Sequence, residues 1–156
     1  MRKLILLLLG FFTLSCGNNS PYPGYSRARH DIYFRLHKIG EEVNKAYPGD
    51  FITADISYFT MQDSMFFYGR RKFQVTRPAF KGSIDECFLM LSENESATFI
   101  ISADDFFKKT LQTSLPSFLP EKSKMKVKID ILEIQTEEEY NKESAPTKSA
   151  CSPLTS

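Results

Sequence analysis

Apolar and polar residues alternate most clearly in two stretches of the chain. From Phe51 to Thr60, Ile52, Ala54, Ile56 and Tyr58 interleave with Thr53, Asp55 and Ser57. From Lys124 to Ile134, Met125, Val127, Ile129 and Ile131 interleave with Lys124, Lys126, Lys128 and Asp130. A period of two sends successive side chains to opposite faces, so each stretch predicts a strand with one core face and one water face. Ile32 to Ile39 reads as a further strand, Tyr47-Pro48-Gly49-Asp50 as a type II turn and Gln62-Asp63-Ser64 as a second turn. Met65 to Tyr68 and Lys72 to Thr76 predict two short strands separated by Gly69-Arg70-Arg71, and Ala97 to Ser102 predicts a buried one.

The period changes once. Ile84, Cys87, Phe88 and Leu91 recur at i, i+3, i+4 and i+7, the stripe by which a helix faces a core. Ser83 and Glu86 ahead of it have the spacing of a capping box, and Glu93-Asn94-Glu95-Ser96 ends the helix in a polar turn. From Ala103 to Ser123 run about twenty residues without a period, a length that in a compact domain usually serves function. Asp104-Asp105 is expected to cap a short helical turn at its start. Strands, one short helix, a strand, a long loop and a long final strand together predict an α+β domain, an antiparallel sheet wrapped around one short helix.

The N-terminus has another plan. Met1-Arg2-Lys3 is basic, Leu4 to Phe12 is apolar, and Thr13-Leu14-Ser15 leads into Cys16, the three parts of a secretory signal. The run is short of the roughly 20 residues that cross about 30 Å of hydrocarbon, and Gly10 interrupts it, so it predicts export and not a span. Its end resembles the lipobox of bacterial lipoproteins, with Thr13 where Leu is usual and Leu14 one place late, a looseness found in Bacteroidetes-type forms. That resemblance implies removal of residues 1–15, acylation of Cys16, and attachment to a bacterial membrane facing the periplasm or the cell surface. Residues 16–30 are then a polar tether, 31–136 the domain, and 137–156 a polar tail with too little apolar content to pack, disordered from about Asn141.

Charge and composition narrow the chemistry. Removing Arg2 and Lys3 from 20 basic groups leaves 18 against 19 acidic ones, a formal charge of −1, and no basic block marks a nucleic-acid surface. Of 3 cysteines, Cys16 is assigned to the lipid, Cys87 lies on the apolar helix face and Cys151 in the tail, so no structural disulfide is expected. His30 in the tether and His37 on a strand read as solvated side chains; no metal-ligand spacing, phosphate-binding glycine loop or cofactor motif is present. What stands out is 14 Phe and 7 Tyr with no Trp, enough ring surface to require a core or a pocket.

From Phe51 to Thr136 the chain resembles the FKBP-type peptidyl-prolyl cis-trans isomerases. The stretches that carry the resemblance are Gly82-Ser83-Ile84-Asp85-Glu86, Ala97 to Asp104, Ser117-Phe118-Leu119-Pro120 and Asp130-Ile131-Leu132-Glu133-Ile134, in the family's order. The resemblance implies a shallow apolar pocket for a prolyl peptide, lined by Tyr58, Phe67, Phe73 and Phe80 from the first half and by Phe107, Phe118, Leu119 and Val127 from the second. It implies no catalytic nucleophile and no cofactor, and prolyl-containing exported polypeptides as partners. Three positions depart from the family: Ser83 replaces the pocket-floor Trp, Tyr68 stands where an acid is usual, and Phe107 replaces the loop Tyr. Two functions are therefore expected: an envelope isomerase of reduced activity that assists folding, or a non-catalytic peptide-binding or protein-binding lipoprotein.

Overall fold

The computed structural model describes residues 20–41 and 44–145. The signal read at residues 1–15, the acylation site read at Cys16, and Cys151 lie outside them. In chain order the strands are Ser26–Arg27 (β1), Tyr33–Lys38 (β2), Phe51–Phe59 (β3), Met65–Gln74 (β4), Ser96–Ser102 (β5) and Lys124–Gln135 (β6). The helices are Ile84–Phe88 (α1), Ala103–Asp105 (α2), which runs on into a wider helical turn over Phe106–Thr110, and Glu137–Ser144 (α3). All strands form one sheet in the order β1-β2-β5-β6-β3-β4, antiparallel throughout.

The two alternating stretches lie side by side as β3 and β6, and their apolar faces make one floor. Ile52, Ala54 and Ile56 are buried there with Met125, Val127, Ile129 and Ile131. The alternation slips where Thr53 pairs with Glu133 but Ala54 with Ile131; this bulge returns Ile134 to the core and leaves Leu132 partly in water. α1 covers the floor with Ile84, Cys87 and Phe88, and the Phe88 ring meets Phe73 edge-on at 4.9 Å.

Four local readings are corrected. β4 is continuous through Gly69-Arg70-Arg71, because Arg70 lies opposite Asp55 and donates two bonds of 2.8 Å to its carboxylate, holding the middle of the strand to β3. The residues read as tether are in part folded: β1 pairs with β2, and Tyr22, Tyr25 and Tyr33 cover Ile100 on the outer face of the sheet. That cover, with His37 against Thr98, buries the outer face of β5 as well as its core face. The Ser83 hydroxyl donates to Asp85 and caps nothing; the Glu86 carboxylate accepts instead from the Gly82 amide at 3.0 Å and pairs with His30 Nδ1 at 2.9 Å, tying α1 to the N-terminal arm. The tail read as disordered begins with α3, started by a capping box between Thr136 and Glu139 and docked by Tyr140, whose ring stacks on Phe51 at 3.7 Å. The aromatic stack, the cap and the bonds of Glu143 to Lys72 and Gln135 compensate for a sequence without an apolar stripe.

Gly82 tests the junction between arm and helix. It has φ +82°, and a Cβ there would lie 2.8 Å from the His30 carbonyl oxygen. Gly82→Ala is expected to destabilise the fold by about 2–4 kcal/mol, the left-handed conformation and the backbone clash adding. Denaturant unfolding measures it, and an unchanged midpoint would contradict the packing described.

Candidate functional site

The candidate site opens at the end of the sheet where β3 and β4 leave regular pairing. Tyr58 pairs with Phe67, but Phe59 pairs with Met65, so Phe66 is an extra residue on β4. Neighbours on a regular strand point to opposite faces; a bulge lets both Phe66 and Phe67 approach Tyr58. The Phe67 ring stacks on Tyr58 at 4.7 Å, and Phe66 lies 6.0 Å from it.

The opposite wall comes from the segment after β5. The Ser102 hydroxyl accepts from the Asp105 amide at 3.2 Å, starting α2. Asp104 accepts from Lys108 Nζ at 2.6 Å and from the backbone amide of Lys122, closing the base of the long loop. Those two donors, Lys108 the stronger, hold its carboxyl below the usual range against the effect of desolvation. Asp104-Asp105 thus lie inside a short helical turn and do not cap it; the cap is Ser102, one residue before Ala103. The turn then widens so that the Leu111 amide donates to the Phe106 carbonyl, five residues back, at 3.0 Å. Phe106 goes under the sheet edge against Tyr58 at 5.0 Å, and Phe107 faces Phe66 at 6.4 Å.

Tyr58, Phe66, Phe67, Phe107, Leu111 and Pro116 line a cavity of about 410 Å³, with the Arg71 side chain on its rim. A cavity of about 420 Å³ beside residues 38–41 and 93–94 is lined mainly by polar and charged groups and holds no ring. The aromatic one has the character of a binding site: concave, mostly apolar, with few polar groups. Its phenol is one of them. Burial pushes Tyr58 up to about 12, only slightly offset by the Arg71 charge, so the hydroxyl remains a hydrogen-bond donor at any physiological pH.

Of the positions that the resemblance implied, Tyr58, Phe67 and Phe107 share this cavity. Phe118 stands beside it, largely exposed, with its ring 5.3 Å from Phe66. Phe73 instead packs on Phe88, Phe80 lies under Lys109 Nζ at 5.0 Å, and Leu119 and Val127 are buried in the core. Phe66, Arg71, Leu111 and Pro116 were not anticipated. The Phe66-Phe67 doublet is the only trace that a bulge leaves in the sequence. Tyr68, at the place of the usual acid, points to solvent, and among the described residues no carboxylate lines the cavity.

Neither histidine is simply solvated. His30 pairs with Glu86, and His37 Nε2 lies 2.7 Å from Thr98 Oγ1, its pKa lowered by burial and then by Arg35 and Lys128. Among the described residues no cluster of His, Cys, Asp and Glu has the make-up of a metal site.

No protein-family model matches the chain, and no curated protein matches it in sequence. Solved structures do. The crystal structure of FkpA from Escherichia coli aligns with a TM-score of 0.58 at 9% identity, over 75% of this chain and 54% of that one. A peptidyl-prolyl cis-trans isomerase from Pseudomonas syringae pv. tomato aligns with a TM-score of 0.57 at 9% identity, over 74% of this chain and 84% of that one. The chain thus matches about half the length of FkpA. Likeness at this identity shows the fold, an FKBP-like antiparallel α+β architecture. What the pocket does has to be argued from its own residues.

The Tyr58 phenol gives a direct check on the pocket. In an ultraviolet pH titration, Tyr58 is expected to ionise near 12, later than an ordinary tyrosine at about 10, and Tyr58→Phe should remove part of the late component. Tyr33 is also raised, by its hydrogen bond to Asp31, and contributes to late ionisation in its own right. Between the two values the unfolded chain releases the Tyr58 proton while the folded one retains it, so stability falls as pH rises across that window.

Proposed function

We propose that the chain is a peptidyl-prolyl cis-trans isomerase with an FKBP-like fold, held to a bacterial membrane by an acylated Cys16 and acting on prolyl segments of exported polypeptides. The observation that carries this reading is the cavity in which Tyr58, Phe66, Phe67 and Phe107 converge on one small space.

Such a pocket suits a reaction that makes and breaks no covalent bond. Rotation about an X–Pro bond costs about 18–20 kcal/mol because twisting removes amide resonance. Water favours the planar, more polar amide. A pocket of rings that strips water from the imide weakens that preference, and a shape that fits the twisted form better than the planar one lowers the barrier further. The proline ring is expected among Tyr58, Phe66, Phe67 and Phe107, with its neighbours toward Leu111 and Pro116. The direction of a donor then matters. A hydrogen bond to the imide oxygen strengthens the planar form, whereas one toward the nitrogen, which regains its lone pair on twisting, favours the transition state.

Phe107 has no hydroxyl to hold a peptide carbonyl, and a missing bond of that kind is worth about 0.5–1.5 kcal/mol. The same observation, with no carboxylate lining the cavity, favours a second reading: a non-catalytic lipoprotein that keeps the cleft to bind prolyl segments.

Turnover separates the two. In NMR exchange measurements on Leu-Pro and Phe-Pro peptides, the full-length chain is expected to accelerate isomerisation, Phe67→Ala to lower kcat/KM about tenfold, and Phe107→Tyr to raise it about two- to tenfold by restoring a donor. Binding without acceleration would leave the second reading, and neither binding nor acceleration would end both. Anchoring is checked separately: in a bacterial host Cys16→Ala is expected to move the protein from the membrane fraction to the soluble one.

A further inference from the structure

The cation on the pocket rim has no obvious structural employment. Side chains on β4 alternate, and the two basic residues flanking Arg71 point to the outer face. There Arg70 binds Asp55, and Lys72 reaches Glu143 at 3.2 Å. Arg71 points the other way, to the cavity, and pairs with no carboxylate among the described residues. Among the described residues its one hydrogen bond runs from Nη1 to the Arg70 carbonyl at 3.2 Å, which steadies the head group and leaves its other N–H donors open.

The strand is shaped to keep it there. Gly69, two residues earlier on the same face, occupies a mid-strand position where glycine is normally disfavoured. A Cβ on Gly69 would lie 3.2 Å from the Phe67 ring and 3.5 Å from the Arg71 guanidinium carbon. Ring and guanidinium both fold over the space that the missing side chain leaves. The guanidinium carbon then sits 5.7 Å from the Phe67 ring centroid, a cation–π distance, so the charge is fixed to the ring that forms one wall of the pocket.

The geometry points to Arg71 as a specificity-determining residue that selects prolyl segments with a carboxylate side chain next to the proline. This rests on the prolyl-peptide reading of the same pocket. A planar guanidinium with free donors beside an apolar wall matches a carboxylate in charge and in fork geometry, and no acid among the described residues competes for it. An apolar neighbour of the proline gains nothing from the group, and a basic one is repelled.

The test uses the full-length chain and two pairs of short peptides: Ala-Glu-Pro-Phe against Ala-Gln-Pro-Phe, and Ala-Ala-Pro-Glu against Ala-Ala-Pro-Gln, blocked at both ends. The pairs distinguish an acid before the proline from one after it. In one pair the acidic peptide is expected to bind about three- to tenfold tighter than its amide, the range between an exposed ion pair and a charge-assisted bond at a partly dry surface. The ratio should shrink as salt cuts the Debye length from about 10 Å to about 3 Å. Arg71→Gln should bring the ratio near one, and Arg71→Glu should make the same position prefer Lys to Gln. Since each ratio is read within one variant, a loss of stability common to both peptides cancels. Equal binding of acid and amide by the wild type in both pairs, or a ratio that survives Arg71→Gln, overturns the role of Arg71 and leaves the pocket reading standing. No binding of any of the four peptides overturns both.

Discussion

Met125, Val127, Ile129 and Ile131 on β6 are all but inaccessible to water, and burying them needs a strand on either side and a cover above. At about 1.5–3 kcal/mol for each such side chain, this is the largest apolar investment of any single element. β5 and β3 supply the flanks, and their own apolar faces extend the floor. The α1 part of the cover is only five residues of helix, too short to persist alone, so α1 depends on the floor for its existence. Glu86 completes the dependence by binding the Gly82 amide and His30 together, making the N-terminal arm and the helix one unit.

The candidate site exploits the places where this order lapses. A regular β4 would turn Phe66 away from Tyr58, and a regular α-helix after Ser102 would set Phe107 and Leu111 at another angle. One extra residue in the strand and one widened helical turn bring rings from two separate elements to the same cavity. Asp104 steadies the second by binding Lys122 across the base of the loop, so that a long segment without apolar period is still held at both ends. Rigid floor and irregular rim divide the work: the floor has one low-energy packing, while the rim can vary in sequence without altering it.

This division governs what was legible in the sequence. β3, β6 and the α1 stripe were readable because burial of one face forces a period, and the resulting α+β fold agrees with the solved structures at only 9% identity. The continuity of β4 was not, since it depends on a cross-strand pair, Arg70 with Asp55, that no local window contains. The folded arm and α3 were missed for a related reason: each is held by a few rings and long-range polar contacts, Tyr22, Tyr25 and His30 in the arm and Tyr140 and Glu143 in α3, in segments whose composition reads as polar. In the site, Tyr58, Phe67 and Phe107 came from the family resemblance, while Leu119 and Val127 share their chemistry and lie in the core. A ring serves core and pocket equally well, so residue type alone cannot sort them. Phe66 needed the bulge, and Arg71 needed the knowledge that its two basic neighbours already had partners.

An apolar pocket for a neutral bond discriminates weakly among prolines, because every X–Pro unit presents the same ring and the same imide. Selectivity has to come from what stands next to the proline, and there the apolar rings offer little: one methylene more or less changes affinity by only about 1–3 kcal/mol. A fixed charge at the rim acts differently. It adds to one class of neighbour and repels another while leaving the dry interior, where the bond twists, unburdened by a buried ion. Arg71 stands where that requirement places it: outside the ring of aromatic side chains, tied to the strand by a bond to the Arg70 carbonyl, and held against the Phe67 face. The Tyr58 phenol inside, whose ionisation burial pushes up to about 12, and the Arg71 guanidinium on the exposed rim are thus two donors of different charge on one pocket, the neutral one in the dry interior and the cation at the edge of water.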